Sequence, residues 1–84
     1  MNFEPTNPEQ ALLMVLAIDY HDLMKVKGIA QTRNYLEHNE CGLAYDDFVF
    51  ITRNGIYQPT PKALELIKSA GAMLGVQYPK LCFE

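Results

Sequence analysis

Apolar residues fall along the chain in four blocks separated by short polar breaks, and the spacing within each block predicts its element. The first block runs unbroken from Ala11 to Ile18, and Tyr20, Leu23 and Met24 continue its stripe through Leu13, Leu16 and Ala17. A helix over this stretch has a defined start. Asn7 suits the N-cap, Pro8 suits the first helical position, and Gln10 completes a capping-box-like Asn-x-x-Gln. Asp19, His21 and Asp22 supply polarity only after the first half. A helix apolar on all sides must be covered on several sides. Either the other elements wrap it, or Leu12, Val15 and their neighbours meet a second subunit or a partner.

Gly28 breaks the pattern, and Ile29, Ala30, Tyr35 and Leu36 predict a short half-buried helix. Gln31, Thr32, Arg33, Asn34, Glu37 and His38 would lie outward or at its edges, with Asn39 to Gly42 as the stop. The third block, Phe48-Val49-Phe50-Ile51-Thr52, is β-branched or aromatic and reads as a strand. Asn54-Gly55 is a two-residue hairpin signal, because a type I′ turn needs positive φ at both central positions. Ile56 to Gln58 would be the return strand, ended by Pro59.

The fourth block opens on Thr60 as N-cap and Pro61 as first helical residue. Leu64, Ile67, Gly71 and Leu74 share one face, widened by Ala63, Leu66, Ala70 and Met73. The small residues of Ser-Ala-Gly-Ala-Met-Leu-Gly predict close helix packing, with Gly75 as the stop. The tail from Val76 onward would dock as a short strand or lie across the first helix.

The order helix, helix, hairpin, helix predicts a small α+β domain spanning residues 1–84. On this order, the segment from Gly28 to Ile67 resembles a winged helix-turn-helix domain, over about half the chain. Leu36 through Gly42-Leu43 is similar to the phrase that ends a recognition helix in many bacterial members. Tyr57-Gln58-Pro59-Thr60-Pro61-Lys62 is similar to the phrase that leads from wing to closing helix. The resemblance implies DNA binding and transcription regulation, a wing made by the hairpin, and a supporting helix within Tyr20 to Lys27. The first helix would then bend or break.

Charge placement changes the picture more than charge balance does. The net charge of −3 argues mildly against nonspecific nucleic-acid binding. Yet Leu23 to Leu36 holds Lys25, Lys27 and Arg33 with no acid, and Phe48 to Leu64 holds Arg53 and Lys62 with no acid. These two windows coincide with the expected recognition helix and wing. An acidic body with a basic edge suits orientation on phosphates. The expected contacts are Gln31, Thr32, Arg33 and Asn34 at base edges, Arg53 on the wing, and Lys25, Lys27 and Lys62 on phosphates. With only five positive charges, dimerisation would help.

The second reading is a protein-interaction module or small inhibitor that uses an acidic, tyrosine-rich surface. Glu37, Glu40, Asp46 and Asp47 would form the acidic patch, and Tyr35, Tyr45, Tyr57 and Tyr78 are suited to an interface. Leu12, Val15, Tyr35 and Tyr45 are the expected partner contacts. Catalysis is not expected, because no nucleophile pair, metal set or glycine-rich phosphate loop appears. His38 with Cys41 is two ligands, too few for a metal site, and no cofactor is expected. Cys41 and Cys82 read as free thiols. A chain that is 49% hydrophobic is rich enough to fold, and its apolar runs are too short to span a bilayer or serve as a signal peptide. A cytoplasmic protein without membrane contact is the expectation.

Overall fold

The computed structural model describes residues 4–83. Five helices follow one another: α1 (Pro8–Ile18), α2 (Tyr20–Leu23), α3 (Ile29–Glu37), α4 (Cys41–Arg53) and α5 (Pro61–Met73). Among the described residues there is no strand. The α+β, winged-helix-like expectation is therefore corrected: the stretch read as two strands and a turn is the end of α4 and the strap that follows it.

The reason lies in the period of the third block. A strand would bury Phe48, Phe50 and Thr52 on one face, by alternation. Instead Ala44, Tyr45, Phe48, Val49 and Ile51 are buried and Phe50 is 58% exposed, which is a helical stripe. Asn54-Gly55 closes that helix. Gly55 has φ +68°, its N–H donates to the Thr52 carbonyl at 3.2 Å, and the Ile56 N–H donates to the Ile51 carbonyl at 2.9 Å. This pair of bonds is a Schellman stop. The Asn54 side chain adds a bond to the Phe50 carbonyl at 2.8 Å. A type I′ turn and a Schellman stop both need positive φ at glycine, so the dipeptide alone does not separate them.

Other local signals hold. Asn7 Oδ1 accepts from the Gln10 N–H at 2.8 Å, although the Gln10 side chain reaches back to Thr6 and not to Asn7. Asn39, at φ +58°, ends α3, with the Glu40 N–H on the Tyr35 carbonyl at 2.8 Å, but the expected stop of Asn39 to Gly42 is shorter, because Cys41 and Gly42 already open α4. Gly75 ends α5 in a second Schellman stop, with its N–H on the Ala72 carbonyl and the Val76 N–H on the Gly71 carbonyl. The first helix does break, at Asp19, but α2 beyond it is a single turn.

The chain's own elements cover α1. It packs most extensively on α5 and also touches α3 and α4. Leu12 and Val15 are fully buried in this core, as is Tyr45 on α4, so the three are covered without a second subunit. Tyr35 is partly buried against the same core.

Asp19 sits in this interior at 5% exposure. Its carboxylate accepts from the Tyr57 hydroxyl at 2.5 Å, the Thr60 N–H at 3.0 Å and the Thr60 hydroxyl at 3.0 Å. Thr60 holds the N-cap position of α5, but its hydroxyl is turned to Asp19 and not to its own helix. The carboxylate of the α1–α2 junction thus stands at the positive end of α5. Burial opposes its charge, but the three hydrogen bonds outweigh burial and hold the carboxyl below its ordinary range. The Tyr57 hydroxyl, pushed up first by burial and then by Asp19, stays a donor.

The tail is held on α4 and forms no strand. Asp46 accepts from the Cys82 N–H at 2.7 Å and the Phe83 N–H at 3.0 Å, and the Tyr45 hydroxyl donates to the Lys80 carbonyl at 2.9 Å. Burial foremost pushes the Tyr45 phenol up to about 12, so it stays protonated.

Two outcomes follow from these contacts. Asp19→Asn should lose about 2–3 kcal/mol in urea unfolding at pH 7, the scale of hydrogen bonds to a charged group. Because the folded carboxyl titrates below its unfolded value, its contribution is whole at neutral pH and fades as pH falls through the folded value. The gap between variant and wild type should therefore close on acidification. Gly71→Ala should also destabilise, although alanine favours a helix by about 1 kcal/mol. An added β-carbon would stand 2.8 Å from Cε1 of the fully buried Tyr45 ring. Thermal unfolding of the variant checks this sign.

Candidate interaction groove

The clearest concave feature beside exposed apolar side chains lies between α3 and the end of α4. Its volume is about 310 Å³, and it is open to solvent. Val26, Ile29 and Ile51 form an apolar floor, each nearly buried. Phe50 at 58% exposure and Ile56 at 54% stand along it. Each is placed by a feature already described. Phe50 lies on the solvent flank of α4, and the Schellman stop sets Ile56 beside Ile51.

One polar contact ties the groove walls together. Thr32 is buried and its hydroxyl donates to Asp47 Oδ2 at 2.8 Å, joining α3 to α4. Burial pushes the Asp47 carboxyl up, the Thr32 bond pulls it partly back, and the neighbouring Asp46 adds to the rise. Asp46 and Asp47, expected together in an acidic patch, instead reach from one helix to the tail and to α3.

The basic windows meet here in part. Lys27 lines the groove, and Lys25 lines an adjoining depression with Val26, Lys27, Ile56 and Gln58. Arg53 lies on the far side of Phe50, beside Asn54 and Leu81. Lys62 is on α5, in an ion pair with Glu65 at 3.9 Å.

The four consecutive residues expected at base edges do not share a face. Gln31 lines the groove, and Thr32 is buried. Arg33 and Asn34 border a separate shallow depression with Ala30 and Glu37. Successive helical residues are about 100° apart, so four in a row go round most of the helix. With α4 in place of the hairpin, Arg53 stands at a helix end and not on a wing.

Cys41 and Cys82 are free thiols, both pushed up chiefly by burial, with Glu9 adding at Cys41 and Asp46 at Cys82. Among the described residues no three His, Cys, Asp or Glu side chains gather as a metal site, and no helix is long and apolar enough to cross a membrane.

Sequence reasoning missed Asp19, Phe50 and Ile56. Asp19 was findable: positions 11, 15, 19 and 23 run at helical spacing down the buried stripe of α1 and α2, and an acid there needs donors. Phe50 and Ile56 were hidden by the strand reading, which set them on the two strands of a hairpin. Comparison with protein-family models, with curated proteins and with solved structures finds no match.

Thr32→Val should raise the Asp47 pKa further, since it removes the one contact that lowers it. Carboxyl-carbon NMR titration reads this directly, and an unchanged or lower value would refute the assigned role of the bond.

Proposed function

We propose that this chain is a small non-enzymatic interaction module that docks a segment of another protein in the α3–α4 groove. The observation that carries the reading is the pairing of exposed Phe50 and Ile56 over an apolar floor. Single exposed apolar residues are ordinary on a surface, but two beside one apolar groove are the usual mark of a docking site. Helix-in-groove recognition needs such a floor and such walls.

The absence of a catalytic role is part of the same reading. Asp19, Asp47, Tyr45 and Tyr57 have shifted pKa values, yet each is engaged in a hydrogen bond between elements of the fold. In this reading the chain works in the cytoplasm, where its two free thiols stay reduced. DNA binding is kept as the competing reading, because Lys25, Lys27 and Arg53 are exposed cations without an ion pair among the described residues.

The test uses an uncharged amphipathic helical peptide titrated into isotopically labelled protein. Amide shifts are expected in Lys27–Thr32 and Asp47–Ile56. Phe50→Ser combined with Ile56→Ser should abolish them while leaving the far-UV circular dichroism intact, since both side chains are largely exposed. Shifts at Lys25, Lys27 and Arg53 on adding duplex DNA, weakening steeply with salt and unaffected by the double serine variant, would favour the DNA reading instead.

A further inference from the structure

The partner of the groove can be specified by charge. Lys25, Lys27 and Arg53 are exposed, and among the described residues none of them is in an ion pair. Lys27 lines the groove with Phe50 and Ile56, Lys25 and Lys27 border a second depression with Ile56, and Arg53 borders a third with Phe50, so each member of the apolar pair has a cation in a depression it lines. Two acids share this surface. Asp47 accepts from the buried Thr32 hydroxyl, and Asp22 lines the depression beside Lys25. The other acids of the described chain lie outside the groove and its two neighbouring depressions.

We infer that the groove takes an acidic amphipathic helix of a partner protein. Its apolar side chains would seat between Phe50 and Ile56, and its carboxylates would meet Lys25, Lys27 and Arg53. This rests on the groove being the docking site, and it adds the sign of the partner's charge. An apolar stripe is what distinguishes such a helix from a nucleic acid, which would use the three cations and leave Phe50 and Ile56 in water. Flanking cations of this kind steer an acidic partner and reject a basic one.

The experiment uses the full chain and two helical peptides of about fifteen residues, long enough to hold a helix. They share one leucine stripe, and their polar positions are all glutamate in one and all lysine in the other. The glutamate peptide should bind saturably at the groove amides and weaken as salt is raised, and the lysine peptide should bind roughly tenfold or more weakly. Lys25→Glu with Lys27→Glu and Arg53→Glu should reverse that preference. These side chains are exposed, and circular dichroism confirms that the variant is folded.

Equal binding of both peptides, or no effect of the charge reversal, overturns the acidic partner while leaving the groove as a docking site. If neither these peptides nor the uncharged one binds, the docking reading falls too. Two further results would also overturn the inference: self-association lost on Phe50→Ser, which makes a second copy the occupant, and duplex DNA displacing the glutamate peptide from the groove.

Discussion

A single carboxylate inside the molecule sets where three elements meet. Asp19 interrupts the first helix, receives the Tyr57 hydroxyl from the strap after α4, and receives both donors of Thr60 where α5 begins. An acid this far from water needs its donors in place, since an unpaired buried charge is far more costly than the bonds are favourable. The α1–α5 packing, the most extensive in the fold, therefore has a polar pin at one end. The same pin draws Tyr57 inward, which leaves its neighbour Ile56 at the mouth of the groove. The buried acid and the exposed isoleucine are consequences of one short strap.

Much of the helical framework was legible in the chain. Asn7-Pro8, Asn39 and Gly75 mark helix ends by local chemistry, and Thr60-Pro61 marks the start of α5 although the Thr60 hydroxyl serves Asp19 and not its own helix. What was not legible was the state of residues 41–58. Phe48 to Thr52 has the composition of a strand, and Asn54-Gly55 has the backbone demand of a hairpin, so two local signals agreed on the wrong element. The decision was made by tertiary burial. Ala44, Tyr45, Phe48 and Val49 fill the core only if the segment is helical, and the β preference of its side chains yields to that packing.

The candidate site was legible in its charge and not in its shape. The two acid-free windows do approach one another in the fold, because the α2–α3 link and the strap after α4 flank the same groove. The base-reading quartet was a statement about neighbouring letters, and a helix disperses neighbours around its circumference. Gln31 and Arg33 came apart for that reason, and Thr32 was free to become an internal contact. Recognition surfaces built on helices are read from residues three and four apart.

Helix α4 holds three adjacent residues that each answer to a different neighbour. Tyr45 reaches Lys80, Asp46 reaches Cys82 and Phe83, and Asp47 reaches Thr32. Such an arrangement is tolerant in one sense and brittle in another. Substituting any one of them removes one attachment and spares the others. Inserting a single residue ahead of Tyr45 would rotate all three by about 100° at once and detach the tail and α3 together. For this helix, length variation is the damaging change.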